Sequence, residues 1–367
     1  MFSSKAIKAI HESIKMGEPV RGPFDIQILP LNVCNQACVF CPLHSIPEAV
    51  MKKHAPRFLE SAKRMEWRLF ERIVEGLEEL GEIERVHFTG GEPLLHTRIV
   101  DMVKLLKDRF ENVVVGVVTN GVPLIKRFDE LAQAGVDRIS ISINTADEET
   151  YMRLSPSNTP KDFQNIIEGL DRAGTYKQKL KEKGQYTDLE LALTCVLTRY
   201  NYNHAGALVE IAARFGIDSI TFIPLVPFEY EGVSSNADFA VSREQFEEFL
   251  LDISKFAPEA NEKGIWLGYS GNNDDGGLLK LLQNEQNRPC YAGYSFTVFW
   301  PDGSVRPCCN CETVMGDVSR QSLTEIWRSD IYKEFRSKAI SGEISYDSRC
   351  SCAECGYLFE NRTIEAG

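Results

Sequence analysis

The sequence predicts an α/β protein: an open, partial barrel of six strand–helix units, (β/α)6, followed by a smaller unit of β-hairpin and helices. Three observations carry this. Between Asp25 and Pro227, short Val/Ile-rich runs alternate with amphipathic helical runs, the pattern of a parallel sheet covered by helices. Within it, Gly135-Val-Asp-Arg-Ile139 and Gly216-Ile-Asp-Ser-Ile220 repeat one another, each stopping a helix at glycine and then opening a strand. From Cys290 onward the chain changes character, to a turn-marked hairpin and clustered cysteines.

Residues 1–20 read as a short amphipathic helix, with Ile7, Ile10 and Ile14 at helical spacing between lysines. The run lacks the continuous apolar core of a signal peptide. The core, residues 21–241, has candidate strands at Asp25–Leu31, Glu84–Phe88, Val113–Val118, Arg138–Ile143, Leu189–Leu197 and Ser219–Leu225. They are nearly continuous in apolar residues, as parallel strands buried on both faces are. Trp67, Phe70, Ile73, Leu77 and Leu80 mark one helix; Ile99, Met102, Val103, Leu106 and Phe110 another; Leu208, Ile211, Ala212 and Phe215 a third. Six such units favour an open TIM-like barrel over a closed eight-fold one, with reactive residues on the loops at the C-terminal strand ends. Residues 242–289 read as a connecting helical segment and 290–367 as the second domain. The long loops Leu43–Met65 and Pro227–Val241 are candidate lids. Lys177–Lys183 reads as a solvated face.

A chain of 367 residues suits one large domain plus a smaller one. Its net charge of -12 argues against general affinity for nucleic acid or anionic membranes. No stretch reaches the roughly 18 apolar residues of a membrane span. Eleven cysteines without a secretory signal point to a reducing cytoplasm and to metal ligation in place of disulfides.

Cys34, Cys38 and Cys41 are spaced C-x3-C-x2-C, with Phe40 just before the third. Three soft thiolates at this spacing can hold three corners of an iron–sulfur cube and leave one iron open to another ligand. A zinc knuckle, or three unrelated core cysteines, is the competing reading. The second candidate strand runs into Thr89-Gly90-Gly91-Glu92-Pro93, where paired glycines permit close backbone approach to a ligand.

Together the cysteine spacing and the TGGEP run resemble the radical S-adenosylmethionine (SAM) superfamily. The resemblance implies a [4Fe–4S] cluster whose open iron binds SAM. It also implies one-electron cleavage of SAM to a 5'-deoxyadenosyl radical, and hydrogen abstraction from a substrate carbon. Cys34, Cys38 and Cys41 would be cluster ligands. Thr89, Gly90, Gly91 and Glu92 would lie at the SAM amino group, with Phe40 and Asn120 nearby. Ser140, Ser142 and Asn144 alternate along one strand face, so Ser142 and Asn144 become candidate SAM contacts. Arg153 is a candidate carboxylate partner, a surface ion pair being its competing reading.

Cys290, Cys308, Cys352 and Cys355, with the hairpin turn Pro301-Asp-Gly303 and the helical run SLTEIWRSDIYKEFR, are similar to the C-terminal extension of that superfamily. It is called SPASM in its two-cluster form and twitch in its shorter form. The dense C-x2-C-x5-C-x3-C segment of the two-cluster form is missing, so these four cysteines imply one auxiliary [4Fe–4S] cluster. Cys309, Cys311 and Cys350 are left over, as spare thiols, alternative ligands or hydrogen donors. Cys195 reads as a core residue.

The expectation is a cytoplasmic enzyme that takes an electron from a flavodoxin- or ferredoxin-type reductant. It would oxidise or epimerise a small natural product such as a carbohydrate or aminocyclitol, since 33 residues before Cys34 leave no room for an N-terminal peptide-recognition domain. A peptide or protein side chain is the alternative substrate. A non-catalytic iron–sulfur or zinc protein is the rival of another class.

Overall fold

The computed structural model describes residues 2–41, 64–185, 187–225, 236–269, 288–346, 349–350 and 357–366. Helix α1 (Ser4–Met16) is capped by the Ser3 hydroxyl and by Gly17 in the left-handed conformation. The six expected units follow. They are β1 (Asp25–Leu31) with α2 (Trp67–Leu80), β2 (Arg85–Gly90) with α3 (Ile99–Arg109), and β3 (Val114–Thr119) with α4 (Leu124–Gln133). Next come β4 (Arg138–Ser142) with α5 (Glu148–Leu154) and α6 (Pro160–Glu182), β5 (Glu190–Leu197) with α7 (Ala205–Phe215), and β6 (Ser219–Pro224) with α8 (Arg243–Glu262). All six strands pair in parallel, in chain order.

Two strands extend this sheet beyond the expectation. The segment read as helical contains β7 (Trp266–Tyr269), parallel to β6. It is four residues long, opens on an exposed tryptophan and contains a glycine, so it lacks the apolar run that marks the others. At the other edge, β8 (Phe296–Phe299) pairs in parallel with β1. The hairpin β8–β9 (Ser304–Arg306) and the short β10 (Gly316–Asp317) thus continue the barrel sheet in the order β10-β9-β8-β1-β2-β3-β4-β5-β6-β7. Gly303 makes the hairpin turn at φ +90°, as Pro-Asp-Gly implies. Helices α9 (Leu323–Trp327), α10 (Asp330–Ile340) and α11 (Leu358–Ala366) complete the C-terminal part.

The convex face of the strands is the core. Ile26, Ile28, Val86, Phe88, Val115, Ile139, Leu191 and Phe222 are sealed beneath the helices, each burial worth about 1.5–3 kcal/mol. The opposite face is concave and only half buried. Register places Gln27, His87, Gly116, Arg138 and Glu190 in one row across it, and Ser142, Thr194 and Thr221 in a higher row. Near β1 and β8 this face is covered by Phe2, Ile10, Tyr357 and Ile364 from the first and last helical segments. Toward β4–β7 it stays polar and partly open. Both candidate lid loops fall mainly outside the described residues.

Candidate functional site

At the C-terminal end of β1 the chain turns into residues 32–41. Gln36 donates to the Tyr151 hydroxyl at 2.8 Å, the Ala37 N–H to Ser157 at 2.9 Å, and the Val39 N–H to the Leu154 carbonyl at 3.0 Å. Asn158 also donates to the Tyr151 hydroxyl. The cysteine loop is therefore cradled by α5 and the turn after it. Gln36, Tyr151, Ser155, Ser157 and Asn158 were not singled out from sequence; the only signal was a run of turn-forming residues, Ser155-Pro-Ser-Asn158.

The Cys34 sulfur accepts the Gln36 N–H at 3.4 Å and the Asn120 side-chain amide at 3.6 Å. Cys38 lies 3.6 Å from the Ser155 hydroxyl, and the Cys41 N–H donates to the Cys38 carbonyl at 2.9 Å. Burial pushes the Cys34 thiol up to about 11 and Cys38 up to about 12, and the neighbouring thiols add to both shifts. The protein alone does not favour thiolates here, whereas a bound metal deprotonates its thiols outright. Among the described residues no three His, Cys, Asp or Glu side chains lie close enough to grip a single metal ion. Three thiols on one short loop are, in their chemistry, the soft donor set that an iron–sulfur cube takes. Phe40 is half buried in the same turn.

The TGGEP loop docks on this loop directly. The Gly91 N–H donates to the Leu31 carbonyl at 3.0 Å and the Glu92 N–H to the Val33 carbonyl at 2.9 Å. A Cβ on Gly91 would sit 2.1 Å from the Val33 oxygen, and one on Gly90 (φ +113°) 2.7 Å from the Leu31 oxygen. Within the chain, the close approach these glycines allow is to the backbone that leads into Cys34. The Glu92 side chain is also turned inward. Its carboxylate accepts from the Leu94 N–H (3.0 Å), the Thr119 hydroxyl (2.7 Å) and the Asn120 N–H (2.7 Å). Burial raises its pKa to about 7 against the pull of these three donors. Thr89 is half buried at the end of β2.

Asn120, at the end of β3, joins the two loops by donating to Asn35 at 2.7 Å as well as to Cys34. Ser142 is half buried on the concave face, and its hydroxyl has no hydrogen-bond partner among the described residues. Asn144 is otherwise engaged: its side-chain oxygen accepts the Val196 N–H at 2.7 Å, and its carbonyl accepts from Asn201 at 2.6 Å. Arg153 lies on the exposed side of α5, paired with Glu149 at 3.4 Å and over the Tyr200 ring, the ion pair that was its competing reading. Lower on the concave face, Arg138 pairs with Glu190 at 2.8 Å and donates to Ser140 at 3.2 Å. Cys195 is fully buried and its thiol donates to the Asn144 carbonyl at 3.5 Å, a core residue as expected.

In the C-terminal part, the Cys290 N–H donates to the Ala339 carbonyl of α10 at 2.8 Å. Burial and the adjacent Cys308 thiol push Cys290 up to about 11, while the Asn361 side chain hydrogen-bonds to it. Cys308 is raised by its contact with Cys309, then by burial. Cys352 and Cys355 lie outside the described residues. Cys311 and Cys350 are joined in a disulfide, which corrects both the expectation of no disulfides and the expectation of three spare thiols. They face each other across an antiparallel bridge with Cα atoms 4.0 Å apart, closer than bridged cysteines usually stand. Cys309 is exposed.

A family model described as the radical SAM superfamily matches residues 28–180, and one described as an iron–sulfur cluster-binding domain (SPASM) matches residues 290–356. Among curated relatives, GTP 3',8-cyclase of Chlorobaculum tepidum is 26% identical over 62% of this chain, and the match spans 61% of that relative. The PqqA peptide cyclase of Xanthomonas euvesicatoria is 22% identical over 88% of this chain and 79% of its own. Among solved structures, Streptococcus suis SuiB bound to S-adenosylmethionine superposes with a TM-score of 0.62 at 17% identity, over 91% of this chain and 72% of that one. That likeness is one of fold. Among the described residues no helix is long and apolar enough to cross a membrane.

Proposed function

Because the chain belongs to the radical SAM superfamily and carries an iron–sulfur cluster-binding domain at its C-terminal end, we propose that it oxidises a small polar natural product, such as a carbohydrate or aminocyclitol, by hydrogen-atom abstraction. The products would be a new double bond or a new ring bond. When bound, the clusters and SAM supply the reducing electron, the 5'-deoxyadenosyl radical and an acceptor for the second electron.

In this reading Cys34, Cys38 and Cys41 hold three irons and leave the fourth open. Asn120 and the TGGEP backbone flank the amino-acid end of SAM. Ser142, with its hydroxyl uncommitted, faces the same space. Cys290, Cys308, Cys352 and Cys355 hold the auxiliary cluster that accepts the second electron. A flavodoxin- or ferredoxin-type protein delivers the first electron, in the cytoplasm.

The observation that carries the substrate reading is the concave face. On the concave face Ser142, Thr194 and Thr221 form a half-buried polar row, with the paired Arg138 and Glu190 at the opposite ends of β4 and β5. A row of hydroxyls suits a ligand rich in hydroxyl or amino groups. The strand-borne thiol, Cys195, is sealed from that face, which favours oxidation over epimerisation and leaves the exposed Cys309 as the candidate hydrogen donor for the latter. A peptide substrate is the second reading. It is favoured by the match to a peptide cyclase across most of both chains.

The test is anaerobic reconstitution, reduction with dithionite and incubation with SAM, reading 5'-deoxyadenosine. Deuterated aminocyclitols, sugars and peptides are then compared for deuterium transfer into it. Transfer from a peptide alone would replace the first reading by the second. No deoxyadenosine from iron-loaded protein would end both.

A further inference from the structure

Arg336 on α10 is 2% exposed. Its Nε donates to the Gly293 carbonyl at 2.7 Å, and its guanidinium lies over three rings: Trp327 at 4.5 Å, Tyr332 at 4.6 Å and Tyr294 at 5.3 Å. Among the described residues its Nη2 has no hydrogen-bond partner and no carboxylate pairs with it. A fully buried guanidinium without an anion is unusual, because desolvating it costs several kcal/mol and aromatic faces return about 0.5–2 kcal/mol each.

The surroundings name the missing anion. Gly293 lies three residues beyond Cys290, and a Cβ there would strike the Arg336 side chain at 2.9 Å. One helical turn beyond Arg336, Ala339 accepts the Cys290 N–H at 2.8 Å. The Tyr332 hydroxyl beside the guanidinium meets the Thr297 hydroxyl at 3.2 Å, and Thr297 donates to the carbonyl of Arg306, two residues before Cys308, at 3.2 Å. A four-iron cluster on four thiolates carries net negative charge, and such a cluster's potential responds to nearby charge and to burial.

We infer that Arg336 is the built-in counter-charge of the auxiliary cluster, held by an aromatic cage so that it raises the cluster's reduction potential and suits it to accept an electron. This rests on the auxiliary-cluster reading. A cation in a dry site favours the more negative, reduced form. Arg336 acts through the cluster and touches no substrate, so it is a positioning residue.

The experiment uses the full chain with Cys34, Cys38 and Cys41 replaced by Ala, so that the remaining iron belongs to the auxiliary site. Midpoint potentials are read by EPR-monitored titration for this parent and for added Arg336→Met or Arg336→Lys. Arg336→Met should shift the midpoint negative by at least the equivalent of tenfold in the reduction equilibrium, about 59 mV for a one-electron couple. Arg336→Lys should restore most of that shift. An unchanged midpoint in iron-replete Arg336→Met overturns the inference. So does an Arg336→Met chain that fails to fold without iron, because an uncompensated charge is not what holds the metal-free chain together. A parent that takes up no iron would instead refute the auxiliary cluster itself.

Discussion

The Glu92 carboxylate accepts the backbone N–H of Asn120 at 2.7 Å, and Asn120 in turn donates to the Cys34 sulfur at 3.6 Å. Three loops at the ends of β1, β2 and β3 are thereby linked through two side chains. The cysteine loop is positioned from behind by buried groups, and most of the expectations below concern that support.

Glu92 should make stability fall as pH rises. Its folded pKa, about 7, lies above the ordinary carboxylate value of about 4.3. Its contribution is therefore fully present below about 4.3 and lost as pH climbs through about 7. Glu92→Gln removes this dependence and, separately, turns one accepting oxygen into a donor facing the Asn120 N–H. In urea unfolding of the metal-free chain, the wild-type protein should lose ~3 kcal/mol relative to Glu92→Gln between pH 4 and pH 8. A constant difference would show that the carboxylate is not held as described.

Gly91→Ala should damage the active end without touching a ligand. The added Cβ meets backbone, 2.1 Å from the Val33 oxygen, so the cysteine loop must move. Overpacking of this kind costs about 1–3 kcal/mol. Deoxyadenosine formation should drop at least tenfold while the auxiliary iron is retained. Gly17→Ala, with nothing within 4 Å of its Cβ, should lower melting temperature modestly through its left-handed φ and leave SAM cleavage intact.

Tyr151→Phe removes the hydroxyl to which Gln36 and Asn158 both donate. Two nearly buried amides lose a partner, at about 1–3 kcal/mol. Iron held by Cys34, Cys38 and Cys41 should then pass to an added chelator several times faster than in the parent, measured by the decay of cluster absorbance. Equal rates would mean that the cradle does not steady the loop.

The sequence made some of this legible and hid the rest for physical reasons. Strands β1–β6 announced themselves because their convex-face residues, Ile26, Val86, Val115, Ile139, Leu191 and Phe222 among them, are apolar and sealed beneath the helices. β7 stayed hidden because Trp266 is exposed and Gly268 interrupts the run. The pairing of β1 with β8 is a contact between distant segments, to which no local pattern points. Cys34, Cys38, Cys41 and the TGGEP run were readable because chemistry fixes their spacing. The cradle of Gln36, Tyr151 and Asn158 was not, since hydrogen bonds between separate elements leave no periodic trace. Asn144 was read as a ligand contact from its place in an alternating row; that its side-chain oxygen also accepts the Val196 N–H is a contact between strands that no local pattern announced.

Ser142→Ala should weaken SAM binding about tenfold, the loss of one good hydrogen bond, with no change in melting temperature. The hydroxyl has no partner to lose among the described residues. Anaerobic equilibrium binding of SAM to the cluster-loaded chain checks this. Unaltered affinity would remove Ser142 from the SAM site.

Replacing Cys34, Cys38 and Cys41 together by Ala should keep roughly half of about eight irons per chain and abolish deoxyadenosine formation. Iron analysis with product assay decides it. Retained SAM cleavage would place the radical chemistry at the other cysteine set.

β1 carries the cysteine loop, yet Asp25–Ile28 find one of their two neighbours in Phe296–Phe299. At synthesis rates of about 5–20 residues per second, the interval between those segments leaving the ribosome is on the order of tens of seconds. During that interval the strand that leads into Cys34 is an open edge, able to recruit another chain. One of the first strands made is among the last to be completed, so iron loaded at Cys34 before release would sit on unfinished scaffold. Completion of the strand that leads into Cys34 is thereby tied to the arrival of β8, some 270 residues later in the chain.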